Sequence, residues 1–151
     1  MTKLFMCFLI LTSGGYMERD SITNYFNEAK SITIIKNDEY FCYSKGDDKY
    51  EEILSALLSV TKGSHDMPAF GVSLDNETKQ AIQSGTWLEL QFNTTKTFNE
   101  MPFDALLIQV NENYQGINII RKNNKKYEGR CFYLNLKSDM KQLFKTLKNI
   151  K

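Results

Sequence analysis

Thr86-Trp87-Leu88-Glu89-Leu90-Gln91-Phe92 alternates apolar and polar side chains, and residues 103–110, 116–121 and 127–136 repeat the same two-residue rhythm. A period of two puts successive side chains on opposite faces of a strand. No crossover helix separates the four segments, and short turns join only antiparallel neighbours, so they predict a meander. Alternation also assigns faces. Leu88, Leu90 and Phe92 go with Leu106, Ile108, Val110, Phe132, Leu134 and Leu136, whereas Trp87, Glu89, Gln91, Tyr127, Cys131, Tyr133 and Asn135 point the other way.

Downstream, residues 138–150 place Met140, Leu143, Phe144, Leu147 and Ile150 on one helical face and, with Lys137 just before them, Lys141, Lys145 and Lys148 on the other, which predicts a docked amphipathic helix. Upstream, residues 32–36 and 39–43 are β-branched or aromatic runs separated by Asn37-Asp38, a tight-hairpin signal. Asp47, Asp48, Glu51 and Glu52 open a helix carrying Ile53, Leu54, Leu57 and Leu58, with Gly63 as its stop. Ser21 or Asp20 caps a short helix through about Ala29, residues 64–74 read as a loop, and Asp75 or Asn76 caps a helical turn ended by Gly85. The fold expected is α+β, a two-layer sandwich in which an antiparallel sheet of about five to seven strands carries helices mainly on one face.

The 151 residues suit one core, and 42% hydrophobic with 25% charged residues excludes disorder and a polytopic membrane protein. Residues 1–15 read either as a short signal peptide or as a buried first strand, followed by a single domain at 16–151; the apolar run from Leu4 to Leu11 is too short to span a bilayer. A secreted or envelope location and a cytoplasmic one therefore both stay open. Loss of Cys7 with a signal peptide leaves Cys42 and Cys131, a candidate disulfide or two thiols packed as small hydrophobes.

Net charge is +1, but from Arg121 onward ten Lys/Arg face only Glu128 and Asp139, leaving the rest of the chain at about −7. The sharper reading is an anion site using Lys122, Lys125, Lys126, Lys141 and Lys145; the plainer one is a solvated face. Nucleic acid is disfavoured because no aromatic interleaving or recognition motif accompanies the lysines.

No nucleotide-binding glycine pattern, Cys-x-x-Cys or zinc-helix motif is present, so no cofactor or metal site is expected. Adjacent carboxylates on a helix do not face each other, and those at the head of a helix offset its dipole. Two hypotheses remain. A thiol enzyme or small hydrolase would pair Cys131 with His65, oriented by Asp66 or Asn135. A binding module would use Trp87, Tyr127 and Tyr133 with Met67 and Phe70 as an amphipathic platform for a protein, peptide or glycan partner. The binding module is preferred, because a thiol inside an apolar strand is usually inert. Arg130 is expected as an inward charge needing Asp104 or Glu89.

The stretches Met67-Pro68-Ala69-Phe70-Gly71-Val72-Ser73-Leu74, Trp87-Leu88-Glu89-Leu90, Met101-Pro102-Phe103 and Tyr127-Glu128-Gly129-Arg130-Cys131-Phe132-Tyr133-Leu134 resemble segments of small proteins of low-GC Gram-positive bacteria, clostridia above all. That group has no assigned activity. The resemblance implies a bacterial source and transfers no functional residue.

Overall fold

The computed structural model describes residues 20–68 and 71–150. Residues 1–15, with Cys7, and Phe70 lie outside the described residues. The chain forms strands β1 (Ser31–Lys36), β2 (Glu39–Ser44), β3 (His65–Met67), β4 (Val72–Ser73), β5 (Thr86–Phe98), β6 (Met101–Gln109), β7 (Gly116–Asn123), β8 (Lys126–Tyr127), β9 (Gly129–Arg130) and β10 (Phe132–Asn135). Its α-helices are α1 (Asp48–Thr61), α2 (Asp75–Ile82) and α3 (Lys141–Asn149), and a 3₁₀ helix spans Ile22–Glu28.

Among the described residues all pairings are antiparallel. The main sheet has eight strands, ordered β2-β1-β5-β6-β7-β10-β3 with β8 also on β7, and β4 pairs with β9 apart from it. The meander is present; the segment read as a loop supplies the seventh strand of the path, β3, hydrogen-bonded to β10, and the eighth, β8, lies off the path beside β7. Two-residue turns with positive φ close three hairpins, at Asn37-Asp38, Asn99-Glu100 and Asn124-Lys125. Positive φ at both positions matches the right-handed twist of the flanking strands.

The first face carries the core in the arrangement expected from alternation. Leu88, Leu90, Phe92, Leu106, Ile108, Val110, Phe132, Leu134 and Leu136 join one buried cluster with Ile22 and Phe26 of the 3₁₀ helix, Ile53 and Leu57 of α1, and Leu143 and Leu147 of α3. Phe144 is half-buried against it. Edge-to-face contacts link Phe92, Phe98, Phe103, Phe132 and Tyr25 at centroid spacings of 5.4 to 6.0 Å, the geometry aromatic quadrupoles favour. Tyr50 donates its hydroxyl proton to the Ala29 carbonyl at 2.5 Å, which fastens α1 to the entry of β1.

The helix starts are secured in different ways, and that of α2 differs from expectation. Ser21 caps the 3₁₀ helix by accepting the Thr23 N–H, but Asp47 gives no side-chain cap to α1. Its carboxylate instead accepts the Ser44 N–H at 2.9 Å, satisfying a donor at the end of edge strand β2. Leu74, not Asp75 or Asn76, is the residue before α2. The Asp75 carboxylate receives the Tyr127 N–H at 2.8 Å and the Lys79 ammonium at 2.6 Å, so it ties α2 to β8. Those two bonds hold the Asp75 carboxyl below its usual range, the Lys79 bond first.

Candidate functional site

The second face of the sheet is where the charged and aromatic side chains converge, and α2 divides it. Along β6 this face presents Ala105, Leu107 and Gln109 in turn. Leu107 lies beneath α2 in a small apolar cluster with Ile35, Ile82, Trp87 and Tyr127. The expectation that Trp87, Tyr127 and Tyr133 form one exposed platform is therefore corrected. Trp87 and Tyr127 are buried because Ile82 of α2 packs over them, and the Trp87 indole N–H is spent on the Ser84 carbonyl at 2.8 Å.

Beyond α2, Met67 is exposed and Tyr133 half-buried. They are register partners, Tyr133 also pairs with Asn118, and Trp87 pairs with Gln109. This cross-strand row opens into a cleft of about 620 Å³ lined by Gln109, Asn113, Tyr114, Gln115, Gly116, Asn118, Tyr133 and Asn135. None of these side chains is charged at neutral pH. The carboxamides each offer donors and an acceptor, and the tyrosines add rings and hydroxyls.

Local chain geometry fixes this lining. Asn111 accepts the Asn113 N–H on its side chain and the Tyr114 N–H on its carbonyl, folding the loop after β6 into an Asx turn, and the Gln115 carbonyl accepts the Leu136 N–H at 2.9 Å. The ring of Tyr133 lies directly over Gly116, where any Cβ would collide with its hydroxyl. Gly116 thus sets how far Tyr133 leans across the cleft. Tyr114 is 40% exposed and Met67 42%, so ring and thioether surface is open to a ligand.

The Cys131 and His65 pair is not assembled. His65 stands opposite Asn135 on β3 and is exposed, and Cys131 precedes Asn135 by four residues, about 13 Å along an extended chain. Cys131 is buried with its Sγ 3.2 Å from Ser73 Oγ. Asp66 is committed elsewhere, accepting the Ile22 N–H at 3.1 Å. A disulfide is excluded as well. Exposed Cys42 on β2 lies five strands from β10, roughly 24 Å away. Nor is Arg130 an inward charge. It is exposed, and half-buried Arg121 donates to the Arg130 and Pro102 carbonyls at 2.6 and 2.8 Å, with Gly129 leaving room for its guanidinium.

The lysines fall into two groups. Lys122 and Lys125 border a hollow beside Glu89 on the second face, whereas Lys141 and Lys145 line a groove of about 390 Å³ along α3 with Phe144 and Lys148. Lys126 is exposed on β8. Among the described residues no cluster of three or more His, Cys, Asp or Glu could hold a metal ion, and no helix is long and apolar enough to cross a membrane.

Residues 109 to 118 were not singled out from sequence, although Asn111, Asn113, Gln115 and Asn118 in eight residues, with Tyr114 between, is a carboxamide density that marks them. It reads as an ordinary turn until Tyr133 is placed beside it. No protein-family model and no curated protein matches the chain. A solved structure, that of YycH from Bacillus subtilis, aligns with a TM-score of 0.48 and 20% identity over 82% of this chain and 38% of that one. The chain spans well under half of that structure's length, and at this level the likeness carries no argument about activity.

Proposed function

We propose that the protein is a non-enzymatic binding module whose recognition surface is the cleft around Tyr133, and that its ligand is an uncharged, hydroxyl-rich chain such as a neutral glycan. The observation that carries this reading is the lining itself. It has carboxamides on four elements or loops, two tyrosine rings and no ionised group. Carboxamides match vicinal hydroxyls, which also donate and accept, and a half-exposed ring suits the apolar face of a sugar. A charged ligand would be desolvated here without compensation. An extended peptide finds no strand edge on β7 or β10, which are already paired on both sides; the edge that remains on this side of the sheet is the three-residue strand β3.

Calorimetric titration with neutral oligosaccharides such as maltotetraose, cellotetraose and chitotetraose tests the proposal. At least one should bind, and Tyr133→Ala should weaken it by roughly tenfold or more, equivalent to about 1.4 kcal/mol. The reading fails if no neutral oligosaccharide binds, or if binding is indifferent to Tyr133.

A further inference from the structure

On the same face, beyond α2 from the cleft, the small side chain of Ala105 sits between its register partners Gln91 on β5 and Lys122 on β7. Larger residues flank it, so the sheet has a hollow here of about 360 Å³, with Lys30, Asp104 and Lys125 at its rim. Its position is about 13 Å from Gln109, four residues along β6.

The charge around the hollow is organised. Glu89, 5% exposed, accepts the Tyr127 hydroxyl and the Gln91 amide at 2.9 Å. Those two bonds leave Lys122 only long contacts to Glu89, at 3.4 and 3.5 Å. The Lys122 ammonium also sits 4.8 Å above the Tyr127 ring, which holds it in place without consuming its N–H donors. Asp104 is turned to the Asn124 N–H at 3.0 Å. Three lysines therefore line the hollow, against Asp104 at its rim and the already shared Glu89 beside it.

We propose that this hollow is an oxyanion site that takes the carboxylate or phosphate group of a small molecule. Its three lysines act as point charges on flexible stems, with Lys122 pre-positioned by Glu89 and Tyr127. The surplus of about one positive charge suits a single anionic group rather than a polyanion. This site is independent of the neutral cleft, and its test does not rely on a glycan.

The experiment is amide NMR of the full chain titrated separately with sodium acetate and sodium phosphate, ionic strength being held constant with sodium chloride. Saturable shifts centred on Ala105, Lys122 and Lys125 in either series are expected, and the series that saturates identifies the anion. The double variant Lys30→Gln/Lys125→Gln touches neither Glu89 nor the core and should weaken that saturation roughly tenfold. Lys122→Gln should abolish it. Shifts that stay linear and spread equally over Lys141, Lys145 and Lys148 would mean general screening, and saturation unchanged in the double variant would equally overturn the site.

Discussion

Tyr127 shows how one side chain links stability to the charge pattern of the second face. Its hydroxyl is buried and donates to Glu89, and its ring lies under the Lys122 ammonium. Burial and then the adjacent carboxylate push its ionisation far above the usual value of 10.0, and Tyr50 is shifted upward by burial and Glu51. A raised folded-state value means that the neutral phenol's contribution is complete below pH 10 and is lost as pH climbs through the folded value. In a near-ultraviolet alkaline titration the Tyr127 hydroxyl should therefore ionise only with unfolding, and that of Tyr50 later than an unburied phenol. Tyr127→Phe should remove one of these late steps and cost about 1.5 to 3 kcal/mol, as for other hydrogen bonds to charged groups. Ionisation of all eight tyrosines before any loss of circular dichroism would contradict this. Glu89 and Tyr127 were legible as face-mates from alternation alone, but their mutual burial was not. That depends on α2, whose position no local pattern encodes.

Hairpin turns carry much of the topology at the level of elements. Asn37-Asp38 was readable because β-branched runs flank it closely. Asn99-Glu100 was not, since the polar stretch Asn93-Thr94-Thr95-Lys96 reads as a connection and instead continues β5 as an exposed strand past a register shift. Glu100 has φ +63°, a conformation costing an L-residue roughly 1 to 2 kcal/mol, and it is exposed. Glu100→Gly should stabilise the protein by about 0.5 to 1 kcal/mol after the added chain entropy of glycine is subtracted. A higher urea midpoint with unchanged slope is the expected reading; a lower midpoint would show that the Glu100 side chain stabilises the turn. The segment after Lys126 was read as one strand, yet it breaks into β8, β9 and β10. Positive φ at Gly129, the reach of Arg121 beneath it and the pairing of β9 with β4 account for the interruptions. These are long-range causes, invisible in a window of ten residues.

For the molecule as a whole, the eight-stranded antiparallel sheet has two unlike faces. One face buries the aliphatic and aromatic core under the 3₁₀ helix, α1 and α3. The other is only partly roofed by α2, leaving a neutral cleft on one side and a lysine-rimmed hollow on the other. The two-residue period made the faces readable. It did not reveal which part of the second face stays open, because coverage is decided by where α2 docks and by the loop that brings Tyr114 beside Tyr133. The most direct check on the central claim is an amide and side-chain-amide NMR map with the best-binding neutral oligosaccharide. Perturbations should concentrate at Gly116, Asn118, Tyr133 and Asn135, with the α1 and α3 resonances unmoved. Perturbations centred on the α3 groove, or none in the cleft at saturation, would contradict it.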